Sequence, residues 1–69
     1  LSPTDPDLRS DLGKVLLDME RMDEAEAQFR IVLDGQPAHL HARRNLVALL
    51  RGVGRVQEAE RIASGGSAR

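Results

Sequence analysis

The side chains able to grip a charged group are few and unevenly spread. Arg44 and Arg51 stand seven residues apart, which on a helix puts them on one face about two turns from each other. Guanidinium groups at that spacing can hold a carboxylate or an acidic segment through bidentate hydrogen bonds. The alternative is that they pair with Asp7, Asp11 and Asp18 inside the same molecule. His39 and His41 are two apart, a separation at which helical side chains do not face each other. A zinc site needs three or four converging ligands, and the chain has no Cys and no HExxH run, so no metal is expected.

Other chemistries find less support. The serines (Ser2, Ser10, Ser64, Ser67) lie mostly near the ends, Tyr is absent, and the acids are spread as a solvated helix surface would spread them. No Gly-rich phosphate loop is present, because Gly65-Gly66 falls in a terminal tail rather than a strand-to-helix turn. The chain is therefore expected to be no enzyme and to take no cofactor. A nucleic-acid surface would draw on Arg43, Arg44, Arg51 and Arg55, but no aromatic stacks among them and the isoelectric point is near 6.1, so no nucleic acid is expected.

Sixty-nine residues make one small domain. With no Cys and a single aromatic, Phe29, its core must come from Leu, Val, Ile, Ala and Met. The net charge of −1 hides an asymmetry: residues 1–34 hold nine acids against four bases, and residues 35–69 two acids against six bases. That dipole fits end-to-end attraction between molecules or a partner of split charge; an ordinary solvated surface is the other reading. No apolar run approaches the roughly 20 residues of a membrane span, so no membrane partner is expected. No signal peptide is visible, and the compartment stays open with the cytoplasm as default. The chain starts at Leu1 without Met, so a fragment or a processed product is expected.

Four helices can be read from apolar spacing. The first carries Leu8, Leu12, Val15, Leu16 and Met19, one helix face, with Asp5 as N-cap and Pro6 at the first position. The second carries Met22, Ala25, Phe29, Val32 and Leu33, with acids in its first turn. Gly35 is expected to end it in the left-handed conformation, and Pro37 to prevent continuation. The third repeats the first 34 residues later as Ala42, Leu46, Leu49, Leu50 and Val53, ended by Gly52 and Gly54. The fourth holds Val56, Ala59, Ile62 and Ala63 and stops at Gly65-Gly66. Short links make neighbours antiparallel, and no segment alternates like a strand.

A 34-residue period with Leu12-Gly13, Leu16, Ala25, Phe29 and Pro37 in this order resembles the tetratricopeptide repeat family. Gly13 and Ala25 are small where the helices of one hairpin cross, and Leu16 and Phe29 fill either side. Arg9 stands where the family has a large aromatic, Val47 replaces the small residue in the second copy, and Ala63 replaces the aromatic. The resemblance implies an all-α fold of antiparallel hairpins stacked as a short right-handed superhelix. Residues 1–5 would link from a preceding unit, 6–39 form repeat one, 40–64 a shortened repeat two, and 65–69 a flexible tail.

The family further implies a protein-interaction module that takes a peptide or helix of a partner protein in a concave groove. The groove positions would be Asp7, Ser10, Asp11, Lys14, Leu17 and Asp18, then His41, Arg44, Asn45, Ala48 and Arg51. The residues expected to carry binding are Lys14, His41, Arg44, Asn45 and Arg51. Asn45 can donate to and accept from a peptide group at once, or it is an ordinary exposed polar residue. Two stacked hairpins leave open ends, so the alternative role is self-association of the chain as a homo-oligomer.

Overall fold

A computed structural model describes residues 5–65 and shows an all-α chain of four helices: α1 (Pro6–Asp18), α2 (Met22–Gly35), α3 (Leu40–Gly52) and α4 (Val56–Ala63). Among the described residues there is no strand, and no helix is long and apolar enough to cross a membrane. Asp5 caps α1, its carboxylate accepting the Asp7 amide at 2.9 Å, and Pro6 follows at the first turn, where a missing amide hydrogen leaves nothing unsatisfied. His39 does the same for α3, its Nδ1 accepting the Ala42 amide at 3.2 Å.

The period seen in the residues is repeated by the backbone. α3 begins and ends 34 residues after α1. The turn after α1 closes through Arg21 N–H to the Leu16 carbonyl, and the turn after α3 through Arg55 N–H to the Leu50 carbonyl, both at 2.8 Å. Each turn needs one left-handed residue, Glu20 (φ 62°) in the first and Gly54 (φ 89°) in the second. Gly54 adopts it without a Cβ penalty; Glu20 does not. Gly35 does not adopt the left-handed conformation expected of it. It stays helical, and Gln36 ends α2 with φ −138° while its N–H bonds back to the Val32 carbonyl.

Leu16, Ala25, Phe29, Val32, Ala42, Leu46, Leu49, Leu50 and Ala59 form one buried cluster. Within the first hairpin the closest approach is at Gly13, where a Cβ would lie 2.6 Å from the Phe29 ring. Phe29 itself is fully buried. The second hairpin has Val47 and Ala63 at the matching positions, a larger residue facing a smaller one.

The apolar face expected of α1 is only partly a core face. Leu16 is buried, but Leu8, Leu12, Val15 and Met19 are exposed. Leu12 is 48% exposed, whereas Leu46, its counterpart in α3, is 0% exposed. The reason is positional: α3 packs between α2 and α4, while among the described residues α1 packs on α2 and only lightly on α3.

Candidate functional site

α3 holds most of the expected binding residues, and its packing divides them into two groups. Ala42, Leu46, Leu49 and Leu50 turn inward. That leaves Arg44 and Arg51 on the flank nearest α4, where they line a depression of about 390 Å³ with Leu40, Arg43, Val47, Ala48 and Ala63. Its floor is mostly aliphatic, and Ala63 at the end of α4 leaves it open. The alternative, pairing of Arg44 and Arg51 with the acids of α1, is absent: neither arginine forms an ion pair or side-chain hydrogen bond among the described residues. Arg43 donates to the Pro37 carbonyl at 3.2 Å, which leans its guanidinium toward the start of α3.

Lys14, His41 and Asn45 do not line this depression. Lys14 sits exposed on α1, 3.7 Å from Asp18 one turn along. His41 is exposed, with its ring edge-on to His39 at 6.3 Å between centroids. Asn45 is half-buried and makes no side-chain hydrogen bond among the described residues, so its amide is available to a ligand. Ser10, expected in the groove of α1, is buried instead. Of the α1 acids, Asp7 is the one that meets the second hairpin, at His39. Because His39 Nδ1 accepts from the Ala42 amide, the proton lies on Nε2, which donates to Asp7 Oδ1 at 2.7 Å.

On the side where α2 and α4 approach, four charges close a ring. Arg30 bonds both Glu26 and Glu58, and Arg55 bonds both Glu26 and Glu58, the Arg55–Glu26 pair being bidentate at 2.9 and 3.1 Å. The hydrogen bond from Arg55 is the largest influence on each carboxyl, with Arg30 adding to it, and both carboxyls are held below their ordinary pKa despite some burial. Burial is the largest single influence on Arg30 and pulls its pKa down, but the two carboxylates together outweigh it. These residues were legible only as local pairs: Glu26 with Arg30 at i, i+4, and Arg55 with Glu58 at i, i+3. Nothing in the chain order says that the two pairs meet. Arg43 joins the site as well: its place one position before Arg44 and four before Val47 puts its stem on the same wall.

Among the described residues no group of three or more His, Cys, Asp or Glu converges as a metal site would require. The arrangement offers recognition: three guanidinium groups around an aliphatic hollow, with no acid lining it. No protein-family model, no curated protein and no solved structure matches the chain.

Proposed function

We propose that the chain is a protein-interaction module of tetratricopeptide-like hairpins that captures an acidic or carboxylate-ending peptide of a partner protein between α3 and α4. The observation that carries the reading is that Arg44 and Arg51, at the edge of an aliphatic hollow, are unpaired among the described residues. Like charges gathered without a counter-ion repel, and an incoming carboxylate relieves that repulsion while it gains bidentate hydrogen bonds. The hollow takes one aliphatic side chain beside the carboxylate, and Asn45 bonds the ligand's backbone on the adjoining flank. Lys14 and His41, exposed on neighbouring surfaces, steer the acidic partner rather than grip it.

A fluorescently labelled peptide ending in Asp-Glu-Leu with a free carboxylate, titrated by anisotropy, tests this. Arg44→Ala with Arg51→Ala is expected to weaken binding by about tenfold or more, and amidating the peptide's end to weaken it similarly. Binding that survives both changes removes the assignment. The second reading, assembly through the ends of the helix stack, is favoured by the exposed Leu8, Leu12 and Val15. Sedimentation over a concentration and salt series separates a salt-sensitive oligomer from a monomer.

A further inference from the structure

The last turn of α4 has a hollow on each side. Ala63 faces the one edged by Arg44 and Arg51, while Ile62 and Gly65 face a second of about 330 Å³, and Arg43 is a wall of both. The floor of the second is aliphatic, made by Leu33 of α2, Leu46 of α3 and Ile62. Its rim carries Arg30, Asp34 and Arg43, which differ in what they leave open. Arg30 is held by Glu26 and Glu58, and Arg43 donates to the Pro37 carbonyl. Asp34 forms no ion pair or side-chain hydrogen bond among the described residues.

The backbone adds to the charge of Asp34. This residue stands in the last turn of α2, where the free carbonyls carry a partial negative charge that favours a cation and disfavours an acid. The last turns of α3 and α4 hold Arg51 and Arg61, but that of α2 holds no basic residue. Arg30, one turn earlier, is turned toward the glutamates instead. Side chain and helix end are therefore negative together, beside an aliphatic floor, just across α4 from a hollow edged by unpaired arginines.

From this juxtaposition, and resting on the peptide-site reading above, we infer that the captured peptide is bipolar: a lysine ahead of its acidic end enters the second hollow. The lysine's four-carbon stem lies along Leu33, Leu46 and Ile62, and its ammonium stays at the open rim beside Asp34. A purely apolar side chain would cover the same floor and leave Asp34 unpaired. An acidic one would meet Asp34 as a like charge. Register follows from reach. Crossing a helix of roughly 10 Å diameter takes about three extended residues at roughly 3.3 Å each, so the lysine stands about three positions before the first acid.

Two peptides test this, each with fluorescein at its N-terminus and a free carboxylate at its end. One is Lys-Gly-Ser-Asp-Glu-Leu; the other has norleucine for lysine, which keeps the stem and drops the charge. In anisotropy titrations with the 69-residue chain the lysine peptide is expected to bind about threefold tighter. Asp34→Asn is expected to bring the two affinities together without weakening the norleucine peptide. It should not lower the melting temperature, since it removes an acid from a helix's negative end. Arg44→Ala with Arg51→Ala should weaken both peptides and preserve their ratio. Equal affinities, tighter binding of the norleucine peptide, or a lysine preference that persists in Asp34→Asn overturns the inference and leaves the peptide site standing. Binding that the two arginine changes do not weaken overturns the peptide site, and this inference falls with it.

Discussion

Replacing Gly13 by Ala puts the packing scheme at risk in a single residue. A Cβ at that position would lie 2.6 Å from Phe29 Cε1 and 2.8 Å from Cζ. The ring belongs to a fully buried side chain, so it has no free direction in which to yield. Two effects oppose each other. Ala is favoured over Gly inside a helix by about 0.8–1.0 kcal/mol, while forcing a methyl into a packed core costs about 1–3 kcal/mol. The expected net is a loss of up to about 2 kcal/mol, from a total that for a chain this size is about 3–10 kcal/mol. Phe29→Leu removes the two nearest ring atoms. In that background the clash is relieved and the helical gain remains, so Gly13→Ala should stabilise by about 0.8–1.0 kcal/mol. The double-mutant cycle, read from urea unfolding followed by far-ultraviolet circular dichroism, should therefore give a coupling of about 1–3 kcal/mol between positions 13 and 29. If Gly13→Ala stabilises both backgrounds equally, the two helices do not close on that glycine and the derivation fails.

Three other outcomes are expected. Leu46→Ala should cost about 2–5 kcal/mol in denaturant unfolding, whereas Leu12→Ala, at the same place in the period but exposed, should cost within about 0.5 kcal/mol; equal losses would contradict the burial pattern. Glu20→Gly should stabilise by about 0.5–1 kcal/mol, because the left-handed strain it relieves exceeds the added freedom of the unfolded chain; a drop in melting temperature would show that no strain is held there. Glu26 and Glu58 have folded pKa values below the ordinary 4.5, so their contribution is present above that pH and is lost as pH falls through the depressed values. Melting temperature should thus decline on acidification below about pH 4.5, and less steeply in Glu26→Gln; identical pH profiles would mean that the ring does not bias folding.

Much of the architecture could be read along the chain because its signals are local. Asp5 and Pro6 start α1 through contacts within two residues, and the turns at Glu20 and Gly54 close through bonds five residues long. The failed expectation at Gly35 has the same root: glycine permits the left-handed conformation without requiring it, and Gln36 could end the helix another way. The site was only half legible. Arg44 and Arg51 share a face by spacing alone, but whether acids of α1 reach them depends on how α1 and α3 lie side by side. Asp7 is taken by His39, and among the described residues the arginines are left without a partner.

Residue order by itself determined four helices, their limits and their 34-residue recurrence, since helix propensity, capping and turn chemistry act over a few neighbours. It could not tell Leu12 from Leu46, which occupy the same place in identical apolar patterns. Only the tertiary arrangement separated them, because burial belongs to a position among neighbours: among the described residues α3 lies between α2 and α4, whereas α1 is covered mainly by α2. The tertiary arrangement also brought Glu26, Arg30, Arg55 and Glu58 into one ring, left Arg44 and Arg51 without acids among the described residues, and turned one of two equivalent stripes into core and the other into surface.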